Sequence, residues 1–303
     1  MEPLSSKDPS TTRGIGGGEN WSIFFNRKRT PLSYIRLFKL VVVKVLVSIP
    51  FRLTASQRKL PDFLIIGVAK GGTTSLFSYL SQHPQIEMSR ENEIHYFAKY
   101  YKKGINYYRS FFPFEKSNKL TGESSPYYFF HPQVPQRIKK DLPNTKIILL
   151  LRDPVTRAHS HYEMMKGVDW VNSFDEAVTI ENERVNLHHD RMKTDPEFKH
   201  NHHQAFSYIK RGFYYDQLQN WLKFYRLEEL LILKSEEFFA DPKKTLSRVY
   251  SYLEIDEIYP QDLTPQNTRS YNRLSKVDYD RYKKLFEEDG KKLVELLGQN
   301  FKW

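Results

Sequence analysis

A short apolar run, a glycine turn and an amphipathic stretch, in that order, limit the folds open to this chain more than any other feature. Residues 63–67 read FLIIG, without a charge, and are too few for a buried helix. Such a run is expected as a strand covered on both faces, as in a parallel sheet. Lys70-Gly71-Gly72-Thr73-Thr74 follows as a turn, and 75–82 as a helix with Leu76, Tyr79 and Leu80 on one face. Strand, glycine turn and helix form a cradle for phosphate. The first N–H groups of a helix lack intrahelical acceptors, and the helix dipole favours an anion. Gly71 and Gly72 would remove Cβ atoms where backbone approaches the ligand. Thr73 and Thr74 can cap the helix and offer hydroxyls, and Lys70 adds a point charge. A turn that serves only packing is the plainer alternative. A Walker A loop needs Gly-x4-Gly-Lys-[Ser/Thr], whereas here the lysine precedes the glycines. That weakens a nucleotide triphosphatase or kinase reading, although LLLRD at 149–153 superficially resembles a Walker B strand.

The same alternation continues downstream. Residues 146–151 (KIILLL) read as a second buried strand ending at Arg152-Asp153-Pro154, with Pro154 suited to the first turn of a helix through about Lys166. Residues 230–233 are a third strand candidate, and 217–225, 242–253 and 279–297 have amphipathic helical patterns. Strands alternating with helices predict an α/β fold, P-loop-like and three-layered, with a mostly parallel central sheet flanked by helices. No repeat or long linker interrupts 60–303, which is expected to be one domain.

Charge separates this body from what precedes it. The chain of 303 residues has a formal net charge of +11, of which residues 1–60 carry +8, from eleven Lys/Arg against three acids. A nucleic-acid partner is therefore not expected for the body. Residues 1–36 form a basic tail, rich in Ser, Thr, Gly and Pro over its first twenty positions, and are expected to be disordered. Residues 37–53 (LFKLVVVKVLVSIPFRL) are strongly apolar, yet Arg36, Lys39 and Lys44 fall on one arc of ~140° at helical pitch. Segment 37–59 is thus a basic amphipathic element with three readings: a helix lying on an anionic membrane surface, a helix packed on the domain, or a single-span anchor of Golgi type with snorkelling lysines. The absence of Cys removes disulfides, Cys-ligated metals and Cys nucleophiles, and favours the cytoplasmic side, peripheral at a membrane.

Three segments carry a family resemblance. GVAKGGTTSL at 67–76 resembles the 5′-phosphosulfate loop of the sulfotransferases that use 3′-phosphoadenosine 5′-phosphosulfate (PAPS). RDPVTRAHSHY at 152–162 is similar to their 3′-phosphate segment, which opens on Arg152 and reaches Ser160 eight residues later. ENEIHYF at 91–97 resembles the heparan sulfate and bacterial carbohydrate branch, and the C-terminal LGQNFKW resembles how bacterial members end. The resemblance implies a PAPS-dependent sulfotransferase that releases PAP, uses no metal, and moves a sulfuryl group to a carbohydrate or glycolipid hydroxyl, less readily an amine. It implies Lys70, Gly71, Gly72, Thr73, Thr74, Arg152 and Ser160 on the nucleotide, with Arg269 in the segment that matches the family's adenosine-end stretch least well. It implies Glu93 as catalytic base with His95 beside it, and Lys70 on the leaving phosphate; Glu91 and Glu123 are Glu93's competitors in sequence.

One departure bears on the acceptor. The related branch has Glu-Lys followed by Thr or Ser, where this chain has Glu123-Ser124-Ser125, so Ser124 stands where the family's lysine falls. The positive charge would have to come from elsewhere. His188, His189, His200, His202 and His203 cluster in a polar stretch, but without Cys or an HExxH pattern a metal site is not expected there. The stretch is expected either as an exposed loop or as the acceptor side, with Arg184, Arg191 and Lys193 toward acidic sugars. Arg211-Gly212-Phe213-Tyr214 resembles a family Arg-Gly-x-Tyr segment. Two rival functions stay open: a P-loop kinase of a small substrate, and a non-catalytic membrane-surface or polyanion-binding protein.

Overall fold

The computed structural model describes residues 48–195, 198, 201–266 and 271–303. The basic tail, residues 37–47 of the amphipathic segment, His200 and Arg269 lie outside the described residues.

Five strands form one sheet in the order β2-β3-β1-β4-β5: β1 (Phe63–Gly67), β2 (Ile86–Met88), β3 (Leu120–Ser124), β4 (Lys146–Leu151) and β5 (Leu230–Lys234). Every pairing is parallel. β1 is central, with Phe63 opposite Gly122 on one side and Lys146 on the other. All five β1 residues are buried, because helices cover both faces.

Side-chain alternation divides the core into two layers. Leu64, Ile66, Ile147, Leu149 and Leu151 pack with Tyr96, Phe97, Tyr108, Phe129 and Trp221. Phe63, Ile65, Ile148 and Leu150 pack with Leu76, Tyr79 and Leu80 of α1 (Thr73–Leu80) and with Leu246, Val249 and Tyr250 of a later helix, Pro242–Leu253. Each such side chain removed from water contributes about 1.5–3 kcal/mol. A third cluster joins α2 (Pro154–Met165) to Phe174, Tyr208 and Phe286 above the sheet's C-terminal edge.

β1 and β4 lie where the apolar runs place them. β2 and β3 were not legible, since LTGES has no apolar run. Its Gly122 faces Phe63, and a Cβ there would lie 2.2 Å from the Phe63 ring. The amphipathic pattern at 279–297 is not one helix: Lys276–Lys283 and Glu287–Leu297 are separated by a 3₁₀ turn at Lys284–Phe286. The break turns Phe286 under Gly212, where a Cβ would meet the Phe286 ring at 2.5 Å. The helix expected over 217–225 runs instead from Tyr214 to Trp221, and the Trp221 indole donates to the Phe129 carbonyl at 3.1 Å.

Candidate functional site

The chain leaves β1 at Gly67 and turns back beneath the end of β4, where the Val68 N–H donates to the Leu150 carbonyl at 2.8 Å. Lys70 has φ +72 and Gly72 φ +94, so the turn passes twice through left-handed backbone before α1 begins at Thr73. Such backbone costs a non-glycine residue about 1–2 kcal/mol. The glycines face protein as well as open turn. A Cβ on Gly71 would sit 3.0 Å from the Val68 carbonyl oxygen and 3.2 Å from that of Leu150, and one on Gly72 would sit 2.8 Å from Phe239. The Gly71 N–H is also engaged, donating to Val68 at 2.9 Å. Close packing within the protein is therefore itself a reason for glycine at both positions. The amides of the first turn of α1 have no acceptor within the helix and can meet an anion. The Lys70 ammonium lies 3.8 Å from the Met164 sulfur of α2.

β4 ends at Arg152, whose guanidinium donates to the Lys70 carbonyl at 2.8 Å, so Arg152 and Lys70 share one region. α2 starts immediately after it. The Asp153 carboxylate caps α2 through the Thr156 N–H at 2.7 Å and accepts from the Tyr279 hydroxyl at 2.8 Å. The Asp153 N–H donates to Glu236 at 2.8 Å, and Glu236 accepts the Trp303 indole at 2.9 Å. The C-terminal tail is thus bonded into the base of α2. Ser160 is buried on α2, two turns in.

Glu93 lies in the segment that follows β2 and is held against the end of β3. Its N–H donates to the Ser124 carbonyl, at the end of β3, at 2.9 Å. Glu93 has φ +59 and His95 φ +56, both left-handed. The Glu93 carboxylate is partly exposed and lies 3.2 Å from the Nε2 of buried His95, with the Gln204 amide at 3.3 Å from the same nitrogen. The Arg211 guanidinium donates to the Gln204 carbonyl at 2.6 Å and lies over the Tyr127 and Phe130 rings. Burial pushes the Glu93 carboxyl up, but His95, Lys99 and Arg211 outweigh it and hold it below the usual range. Burial lowers His95 against the pull of Glu93, and lowers Lys99 to about 8 and Arg211 to about 10. His161 of α2 is held far down by burial and by the charges of Arg211, Arg157 and Lys70. The phosphate-type loop, Arg152 and the Glu93–His95 pair are thus collected at the C-terminal ends of β1, β4 and β3, the edge where open α/β sheets take ligands.

The competing carboxylates separate on geometry. Glu123 is fully buried and bonded to Ser125, Tyr128 and Tyr108, which leaves it no access to an acceptor. Glu91 is half-buried near the sheet edge, its carbonyl accepting from Ser89 at 2.8 Å. Ser124 Oγ is buried without a hydrogen-bond partner, and no lysine occupies its position.

The histidine-rich stretch is not an exposed loop. Phe174–Thr194 is a helix of 21 residues, α3. His189 Nδ1 lies 2.8 Å from His203 Nε2, and His203 Nδ1 lies 2.6 Å from the Tyr127 hydroxyl, with Phe130 stacked on both rings. Arg184 pairs with Asp169 at 2.7 Å, and Lys193 with Asp190 at 2.9 Å, so these bases already face carboxylates of the chain. Among the described residues no group of three or more His, Cys, Asp and Glu is placed to hold a metal ion.

Sequence reasoning assigned Arg211 to a segment without giving it a role and passed over Lys99, Gln204 and Glu236. Lys99 lies one helical turn past His95, and its N–H donates to the His95 carbonyl at 2.7 Å. That spacing was the available signal.

Comparison with known proteins follows this geometry. A family model described as "Sulfotransferase domain" matches residues 60–299. The chain is 29% identical to the membrane-associated sulfotransferase kil1 of Dictyostelium discoideum, over 80% of this chain and 66% of that protein. It is 34% identical to heparan sulfate glucosamine 3-O-sulfotransferase 3B1 of Mus musculus, over 67% of this chain and 48% of that protein. It thus spans just under two thirds of the first relative's length and about half of the second's. A crystal structure of a sulfotransferase from Alicyclobacillus acidocaldarius superposes with a TM-score of 0.65 at 25% identity, covering 79% of this chain and 96% of that one.

Proposed function

The chain belongs to the sulfotransferase domain family, and on that premise we propose that it transfers a sulfuryl group from PAPS to a carbohydrate hydroxyl. One observation carries the reading: the Lys70–Thr74 loop, Arg152 and the Glu93–His95 pair converge at one sheet edge. The donor set suits a nucleotide bearing anions at two ends. The first amides of α1, with Thr73, Thr74 and Lys70, take the 5′-phosphate end; Arg152 and Ser160 take the 3′-phosphate. The donor supplies a sulfur whose bond to the 5′-phosphate oxygen breaks as a bond to the acceptor oxygen forms, leaving PAP.

Lys70 and the α1 amides carry the charge that grows on the leaving oxygen. Glu93 takes the acceptor's proton; its lowered pKa keeps it ionised at neutral pH, ready to accept. His95 orients Glu93 through the 3.2 Å contact. Lys99 and Arg211 bring the positive charge that the related branch draws from the lysine at the Ser124 position. The acceptor is a glycan of the kind named for the heparan sulfate 3-O-sulfotransferase relatives. The enzyme works on the cytoplasmic side, peripheral at a membrane through residues 37–53. The relative described as membrane-associated supports the association with a membrane. No helix of the described residues is long and apolar enough to cross a membrane.

A thermal-shift panel of PAP, ATP and GTP tests the donor site, and radiolabelled PAPS with heparan sulfate and unsulfated glycans tests the transfer. Stabilisation by PAP above ATP and GTP, with label in one glycan, is expected. Stabilisation by ATP alone would support a kinase. Heparin binding without any nucleotide response would support a polyanion-binding protein.

A further inference from the structure

We propose that Glu123 is a positioning residue, whose buried carboxylate orients two hydroxyls so that both accept hydrogen bonds from the backbone that carries Glu93. Its activity test rests on the function proposed above; its structural test does not.

Glu123 lies on β3 and is 0% exposed. Three hydroxyls donate to it: Ser125 to Oε1 at 2.5 Å, Tyr128 to Oε1 at 3.0 Å, and Tyr108 to Oε2. An ionised carboxylate only accepts, so each hydroxyl spends its single proton on Glu123 and is left with lone pairs to offer. Two of the three use them on the same segment. Ser125 Oγ accepts the His95 N–H at 3.0 Å, and the Tyr128 hydroxyl accepts the Phe97 N–H at 3.3 Å. A third tether joins the Glu93 N–H to the Ser124 carbonyl at 2.9 Å.

The tethers bracket two residues that disfavour their own backbone. Glu93 and His95 are both left-handed at φ +59 and +56, a conformation that persists only where the surroundings over-determine it. The polarity of the network supplies that determination. If Glu123 became an amide, its NH₂ would need an acceptor. Tyr108, which carries no tether, could accept it on the Oε2 side, so an amide can leave both tethers intact, whereas an apolar side chain leaves Ser125 and Tyr128 with no acceptor to orient them. Burial raises the Glu123 carboxyl to about 7 against the pull of the three hydroxyls, which favour the ionised form, so the network has its full acceptor polarity above neutrality. Tyr108 is the internal contrast. It donates to the same carboxylate and stacks on Tyr96 at 4.5 Å, but its hydroxyl meets no backbone of the 93–97 segment.

Four variants of the full chain test this: Ser125→Ala, Tyr128→Phe, Glu123→Leu and Tyr108→Phe. Amide hydrogen exchange of the peptide covering 93–99 is expected to rise about tenfold in Ser125→Ala, Tyr128→Phe and Glu123→Leu, and to stay within twofold of wild type in Tyr108→Phe. With heparan sulfate and PAPS as substrates, kcat should fall about tenfold or more in the first three, since small misplacements of a catalytic group are costly. KM for PAPS and the PAP dissociation constant should be unchanged. A merely structural role would lower thermal stability in all four alike and leave kcat per folded molecule intact; that result, or Tyr108→Phe matching Ser125→Ala, overturns the proposal. If the wild type binds no PAP, the functional reading fails, and the exchange pattern still decides the role of Glu123.

Discussion

The charge beside Glu93 gives the sharpest prediction. Lys99 is pushed down to about 8 by burial, with Arg211 adding to the shift and Glu93 opposing it. Of the groups around the carboxylate, Glu93 and His95 lie below their ordinary values, Glu123 is near 7 and Arg211 near 10. Lys99 is therefore the one of these that loses positive charge between neutrality and pH 9, while Glu123 finishes ionising over the lower part of that range. At pH 9 a group with a pKa of about 8 is about one-tenth protonated, so a rate that needs its charge should drop about tenfold from the neutral plateau. Lys99→Arg keeps the charge and should abolish that alkaline limb. Lys99→Met should sit low at every pH, about tenfold down at neutrality. The assay is kcat/KM for sulfate transfer from PAPS to heparan sulfate, from pH 6 to 9.5. Stability runs the other way. The folded pKa lies below the unfolded one, so burial penalises the charged form; the penalty is full below pH 8 and relieved as pH rises toward 10.5. Lys99→Met should therefore be the more stable protein at pH 7, with a margin that shrinks above pH 8. An alkaline limb that persists in Lys99→Arg, or a full rate in Lys99→Met, would refute the reasoning.

Three further outcomes are expected. Glu93→Gln should lower kcat by about 10²–10⁴ with PAP affinity unchanged by calorimetry, and near-wild-type turnover would remove Glu93 as the base. Arg152→Ala should weaken PAP binding about 10–100-fold, the size of a charge-assisted phosphate contact; unchanged affinity would move the 3′-phosphate elsewhere. Gly72→Ala needs φ +94 and places a Cβ 2.8 Å from Phe239 and 3.2 Å from Phe238, so it should cost about 2 kcal/mol in denaturant unfolding. A neutral result there would show that the turn relaxes freely.

How much of this was legible depended on whether a residue's signal was local. FLIIG and KIILLL were readable as strands because burial on both faces demands continuous apolar residues. β3 was not, because its Gly122 and Glu123 answer to individual partners and not to an apolar pattern. Gly122 makes room for Phe63, and Glu123 serves Tyr108, Ser125 and Tyr128. The turn at Lys70–Thr74 was legible from its glycines, but the packing of the missing Cβ positions against Val68, Leu150 and Phe239 was not, since the fold alone sets those neighbours. The polar surface of α3 concealed that His189 and His203 line up with Tyr127, since a buried hydrogen-bonded histidine chain looks in sequence like a solvated one.

The division of labour among strands makes the reading separable by experiment. β1 and β4 hold the loop and Arg152, which meet through the Lys70 carbonyl, while β3 holds Glu93 through Ser124 and Ser125. Changes on the first pair should act on nucleotide affinity and changes on the third on the chemical step. Groups that share no partner contribute nearly additively to a transition state. The Arg152→Ala and Glu93→Gln losses in kcat/KM should therefore multiply in the double variant. Arg211 breaks this separation, because its charge reaches both Glu93 and the His161 that also feels Lys70. A double variant far from the product of the singles would mean that the nucleotide and acceptor ends are coupled, and Arg211 is the residue through which that coupling would run.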